Sequence, residues 1–378
     1  MLRATAALAH LRVERPTLLL DAARVRRNIE RMTRKMESAG VRFRPHFKTH
    51  QSRAIGAWFR DAGTQAITVS SLDMARYFAD DGWSDITVAF PVNVLEMDAV
   101  NRLASQVTLQ LLIDSHEAVA RLESGLTGRI RVWIKVDVGG RRSGVPWNDV
   151  DRLASLAQRV RDGEHMQFAG LLTHSGHSYD ADGVAAVRAI HATSLARLFE
   201  LQARLAGVGV TAALSIGDTP CCSVVSDFTG VDETRPGNFV FYDLTQVRLG
   251  ACRPEDVAVV VACPVVGKHA ERGEVVLYCG AVHLSKDLLR VDGEAVFGYL
   301  AAWNDTTWER AETRAVLTSL SQEHGIVRLA PDLFDSLGVG DLVGVVPVHS
   351  CLTSDLYGAY CALDGQQLAR RRSNDTLP

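Results

Sequence analysis

Two textures share this chain, and the change from one to the other limits what it can fold into. From residue 17 to about residue 250, short apolar runs alternate with helical stretches; beyond about residue 251, strand-like runs take over. Runs of strand character stand at 41–47, 66–71, 86–90, 108–114, 131–138, 168–174, 213–217 and 234–240. Helical patterns such as 72–81, 148–160 and 184–205 lie between them. Eight strands separated by helices match a (β/α)8 barrel in count and length. An open doubly wound sheet is the alternative, but no G-x-G-x-x-G turn follows the first strand. An apolar run at 17–21 leads into a basic amphipathic helix over about 23–38, with Val25, Ile29, Met32 and Met36 on one face. The fold expected is α/β: a (β/α)8 TIM-type barrel over residues 17–250, and a β-rich domain over 251–378 to which residues 1–16 are joined.

The second domain is expected from strand-like runs at 257–262, 274–277, 325–329 and 342–346, with turns at Asp292-Gly293 and Gly338-Val339-Gly340-Asp341. Residues 370–378 have the composition of a frayed polar tail. At 378 residues the chain is too long for one core, so two domains are the natural division. A net charge of −3 provides no basic stripe for nucleic acid, and no apolar run approaches the length of a bilayer. The first eleven residues are broken by Arg3 and His10 and lack a cleavage pattern, so no secretory leader is expected. Seven cysteines, an odd number scattered from Cys221 to Cys361, form no disulfide framework and point to a reducing cytoplasm.

The chemistry starts at Arg44-Pro45-His46-Phe47-Lys48-Thr49-His50. An apolar run gives way there to polar residues, so Lys48 is placed at a strand's carboxyl end, facing a cavity. Desolvation in such a place lowers an amine's pKa and frees it as a nucleophile; an ordinary surface lysine is the plainer reading. The other reactive residues stand where a barrel collects its active site, after the strands: 137–142, 174–177, 217–220 and Gly237-Asn238. In the second domain, His349-Ser350-Cys351 would put a histidine and a cysteine on one face of a strand. Nitrogen plus thiolate suits zinc and leaves coordination positions open, although such a pair taken alone is more often packing. The adjacent Cys221 and Cys222 are read as packing.

These motifs resemble those of the fold-type-III pyridoxal-phosphate enzymes of the alanine racemase superfamily, above all the D-threonine aldolase and D-serine dehydratase group. The resemblance is carried by 44–50, by Lys-Val-Asp-Val-Gly-Gly-Arg-Arg-Ser-Gly-Val at 135–145 and by Thr-His-Ser-Gly-His-Ser-Tyr at 173–179. It continues through Arg-Pro-Gly-Asn-Phe-Val-Phe-Tyr-Asp at 235–243, Ser-Gln-Glu-His-Gly at 321–325 and Pro-Val-His-Ser-Cys-Leu-Thr at 347–353. It implies pyridoxal 5'-phosphate held by Lys48 as a Schiff base and acting as an electron sink. Arg142 and Tyr179 would contact the cofactor ring, and His46 and His174 would belong to the same site. Gly217, Thr219, Gly237 and Asn238 would bind the phosphate, the glycines by letting the backbone approach closely. Relatives tend to carry a small hydroxyl residue where this chain has Asp218, so its carboxylate is expected to point away from the phosphate.

The resemblance also implies a divalent metal on His349 and Cys351, zinc first, with manganese or magnesium as alternatives. Glu323 and His324 would orient the metal or its water. The implied reaction is metal-assisted lysis of a small D-3-hydroxy amino acid in a homodimer, either by dehydration or by retro-aldol cleavage. His177 would serve as base, with His174 and His46 as alternatives. Two other classes compete. An amino-acid racemase would need a second base, for which Tyr278, Tyr299 and Tyr357 are available. A non-catalytic pyridoxal-phosphate-binding protein would need only the barrel and its lysine.

Overall fold

A computed structural model describes residues 1–371 of this chain, which divides into two compact units. One comprises residues 31–48 and 56–237; the other comprises residues 1–30, 49–55 and 238 onward.

The first unit is the expected barrel. Its parallel strands run in the order Arg42–Phe43, Glu233–Thr234, Ala213–Ile216, Met166–Leu172, Ile130–Asp137, Thr108–Ile113, Asp85–Pro91 and Ile67–Val69. The two edges meet where Phe47 N–H donates to Thr68 O (2.8 Å) and Thr68 N–H donates to Pro45 O (2.9 Å), so the sheet closes on itself. The first and last strands are shorter than the runs at 41–47 and 234–240. Pro45 and Pro236 fall inside those runs and have no N–H to give a ladder. Helices pack outside, several of them started by a local signal. Ser71 caps Leu72–Ala79 through Met74 N–H, and Asp149 caps Val150–Asp162 through Arg152 N–H.

The barrel interior is ionic as well as apolar. Arg44, fully buried, donates to Glu233 (2.6 Å) and to Asp85 (2.6 Å). Asp85 also accepts from Gln110 Nε2 (2.7 Å), and Gln110 Oε1 accepts from Trp133 Nε1–H (2.7 Å). On the other side Ser215 Oγ donates to Glu233 (2.8 Å) and accepts from Arg235 Nε–H (2.7 Å). Leu112, Trp133 and Leu172 form an apolar cluster among these strands.

The second unit corrects the domain boundary expected at residue 17. Thr17–Leu20 is not a barrel strand: it pairs antiparallel with Val259–His269 and parallel with Ala359–Ala362. A four-residue apolar run can fill either kind of sheet, and its periodicity does not choose its partner. Six antiparallel strands close a ring in the order Val259–His269, Glu274–Tyr278, His324–Leu329, Trp308–Leu320, Gly298–Trp303 and Leu342–Pro347. Trp303 and Trp308 meet edge to face within it, 5.6 Å apart, and Arg24 lies 5.0 Å over the Trp308 ring. Residues 370 and 371 do not fray as expected: Arg370 is buried and pairs with Asp355, and Arg371 N–H donates to Gln51 O (2.8 Å). The rest of that tail lies outside the described residues. Among the described residues no helix is long and apolar enough to cross a membrane.

Candidate active site

In the barrel unit, Lys48 sits in the turn that follows the His46–Thr68 bridge, its N–H directed to His46 Nδ1 (3.3 Å). It is exposed, so the desolvation expected of it is not its environment. Its charge is instead felt by its neighbours. Burial first, then the Lys48 ammonium, holds both His46 and His174 well below the ordinary imidazole range. His174 Nδ1 hydrogen-bonds Gly217 O; a carbonyl only accepts, so the proton of this neutral ring is on Nδ1.

Lys135 opens the motif at 135–145, and no role is expected of it from the sequence. It is 6% exposed, and burial, then Arg235 and Arg142, lowers its amine to about 7. A lysine inside the apolar run Val132-Trp133-Ile134-Lys135-Val136 was the signal available in the sequence. Lys135 opens with Asp137, Arg142, His174, His177 and Asp180 onto a cavity of about 210 Å³. Arg235, wholly buried, is lowered to about 10, first by burial. His177 Nδ1 is buried without a hydrogen-bond partner among the described residues, and a Cβ on Gly140 would lie 3.6 Å from it. Four basic side chains (Lys48, Lys135, Arg142 and Arg235) around two neutral imidazoles fit a ligand carrying a phosphate and a carboxylate, as pyridoxal phosphate with its substrate does.

The expected phosphate and ring residues of this unit come together. Thr219 N–H points to Tyr179 Oη (3.4 Å), and the Tyr179 ring is 6.2 Å from that of His174. A Cβ on Gly217 would meet Arg235 Cβ at 2.8 Å, so only glycine fits. The Asp218 carboxyl accepts from Cys221 N–H (2.8 Å) and Ser178 O–H (3.0 Å).

In the strand-rich unit, the His349–Cys351 pair is not on a strand. Leu342–Pro347 ends before it, His349 is extended, and Ser350–Asp355 is a helix. The two residues stand at the first turn of that helix, close enough for Cys351 to favour charge on the His349 imidazole. Asp287, which no sequence signal marked, receives His349 Nδ1–H (2.8 Å). Burial opposes charge on His349, but Asp287, Cys351 and Asp243 outweigh it and raise the imidazole to about 11. Cys351 Sγ lies 3.2 Å from Thr49 Oγ1 and 3.4 Å from Asn238 Nδ2. Asn238 Nδ2 is further committed to Asp243 (2.6 Å) and Ser350 Oγ (3.0 Å), so what Asn238 has left for a phosphate is its main chain.

Glu323 faces His283 Nε2 (3.8 Å) and His324 is exposed at a strand start; Asp287 holds the place foreseen for them. Among the described residues no three His, Cys, Asp or Glu side chains gather as a metal site. A histidine anchored by a carboxylate through one ring nitrogen, with a cysteine two residues on, nevertheless has the donor chemistry of a zinc pair. The chain passes between its units at four places, among them Lys48–Thr49 and Gly237–Asn238.

Comparison with known proteins gives the class. Residues 20–245 match the family described as "Alanine racemase, N-terminal domain", and residues 258–363 match the "Putative serine dehydratase domain". The chain belongs to the fold-type-III pyridoxal-phosphate family, in the branch that joins these two domains. It is 33% identical to D-threo-3-hydroxyaspartate dehydratase of Delftia sp. HT23, over 93% of this chain and 95% of that one. The structure of that enzyme superposes with a TM-score of 0.88 at 32% identity, covering 96% and 99% of the two chains. A metal-free form of it has been solved as an alanine variant. D-serine dehydratase of Dictyostelium discoideum is 28% identical over 91% of each chain. These relatives are lyases of D-3-hydroxy amino acids that use pyridoxal phosphate. Alanine racemase of Clostridium difficile 630 shares the fold alone, with a TM-score of 0.65 at 12% identity.

Proposed function

We propose that this protein is a pyridoxal-phosphate lyase that dehydrates a D-3-hydroxy amino acid, assisted by a divalent metal, zinc before manganese or magnesium. The reading includes a cytoplasmic homodimer, supported by the family resemblance and by seven free cysteines. Pyridoxal phosphate, when bound, supplies an electron sink for charge developing at the substrate Cα. Lys48 Nζ is its point of attachment and the group that takes the Cα proton. Lys135, Arg142 and Arg235 hold the anionic groups in place by charge. Gly217, Thr219, Gly237 and the main chain of Asn238 receive the phosphate, and Tyr179 lies beside them. His174 Nδ1 is committed to Gly217, and His46 Nδ1 accepts the Lys48 amide. His177 Nδ1, buried without a partner among the described residues, is the ring nitrogen assigned to move a proton, with the Nε2 atoms of His174 and His46 as alternatives. A metal on His349 and Cys351 supplies a Lewis acid for departure of the β-hydroxyl.

The observation that carries this reading is the His349–Asp287 hydrogen bond with Cys351 beside it. A carboxylate-anchored N/S pair has no use in racemisation or in mere storage of the cofactor. Dehydration is placed before retro-aldol cleavage because the matching domain is that of serine dehydratases and the relatives of 33% and 28% identity are dehydratases.

The cofactor-loaded protein should be given D-serine, D-threonine and D-3-hydroxyaspartate, each with and without a chelator. A 2-oxo acid plus ammonia, lost on chelation, is the expected result. Glycine plus an aldehyde would replace dehydration by retro-aldol cleavage. Substrates returned unchanged or racemised would sink the lyase reading, and a fully active His349→Ala/Cys351→Ala double variant would remove the metal from it.

A further inference from the structure

Asp218 stands where an anion is least expected, in the loop read as the phosphate cradle. Its side chain is turned into the protein and is 5% exposed. It caps Thr219–Val224 through Cys221 N–H and reaches Ser178 Oγ in the segment Gly176–Asp180, which also carries His177 and Tyr179. This is one of three hydrogen bonds between residues 217–219 and residues 174–179. His174 Nδ1–H donates to Gly217 O, Ser178 Oγ–H to Asp218 Oδ1, and Thr219 N–H to Tyr179 Oη. Residues 217, 218 and 219 are thus stitched in succession to 174, 178 and 179.

We infer that Asp218 is a positioning residue: its carboxyl group fixes the Gly217–Thr219 loop against the His177–Tyr179 turn, so that phosphate and ring contacts are held in one geometry. The inference rests on the reading of Gly217 and Thr219 as phosphate contacts. Burial raises the Asp218 carboxyl above the usual carboxylate range, and hydrogen bonds from Cys221 and Ser178 and the charge of His191 only partly offset this. Turned inward, with burial disfavouring its charge, the carboxyl repels a phosphate less than an exposed carboxylate would. Its other near neighbours are the Cys222 thiol, held protonated by burial, and the Arg235 guanidinium.

The test is titration of cofactor-free protein with pyridoxal phosphate and, separately, with pyridoxal, which has the same aldehyde and no phosphate. Asp218→Asn keeps an acceptor and discards the charge; Asp218→Ala removes both; Ser178→Ala cuts the stitch and spares the helix cap. Wild type should prefer pyridoxal phosphate, and Asp218→Asn should stay within about twofold of it. Asp218→Ala and Ser178→Ala should lose about five- to tenfold for pyridoxal phosphate, the worth of one cap or buried hydrogen bond, with little change for pyridoxal. If Asp218→Ala does not fold, Ser178→Ala decides. Alanine variants that bind pyridoxal phosphate as wild type does would overturn the assignment, and an Asp218→Asn as weak as Asp218→Ala would show that the hydrogen bonds are not what holds the loop. A wild type indifferent to the phosphate would instead defeat the reading of the loop, and the inference with it.

Discussion

Lys135 and Lys48 show how place decides what an amine can do. Lys48, marked by its motif, is exposed, whereas Lys135 is buried between Arg142 and Arg235 and lowered to about 7. A base lowered by folding binds its proton more tightly in the unfolded chain. Its cost to stability is therefore full below pH 7 and fades as pH rises toward the ordinary 10.5. Lys135→Met keeps the stem and discards the charge. Its melting temperature should exceed that of wild type most at pH 6 to 7, and the gap should close toward pH 10, apart from any loss of cofactor. A gap that is constant with pH would show that Lys135 is not titrating. Asp287 was illegible for a different reason: its partner His349 is 62 residues away, and no spacing rule spans that distance.

Among the elements, the barrel strands were legible in number and nearly in place, but their ends and their interior were not. Pro45 and Pro236 shorten the first and last strands, and the fully buried Arg44 joins Glu233 and Asp85 across the barrel. Removing one member of a buried ionic group leaves the others uncompensated, at a cost of about 3–5 kcal/mol. Arg44→Met should lose stability on that scale in urea unfolding. A loss below about 1 kcal/mol would mean that the ions are already hydrated. The strand expected at His349–Cys351 failed because Asp243, wholly buried, accepts Ser350 N–H (3.0 Å) and starts a helix where alternation predicted an extended chain.

At the scale of the molecule, two protein donors make a poor folding staple. Structural zinc sites close a tetrahedron of side chains and fold their domains outright. His349 and Cys351 do not, since among the described residues no third ligand gathers with them. Chelation should therefore abolish turnover and leave the melting temperature nearly unchanged. A large fall in melting temperature on chelation would make the metal structural and would call for a third ligand.

Taken alone, the amino-acid order determined the class of fold, because eight alternating strand and helix periods leave a barrel as almost the only closed arrangement. It also marked the candidate chemical residues, whose identities are local and whose motifs are short. Tertiary structure alone decided the partner of Thr17–Leu20, the burial of Lys135, the carboxylate on His349 and the inward turn of Asp218. Each of these depends on segments distant in the chain, and burial, field and hydrogen bonding are properties of what comes near in space.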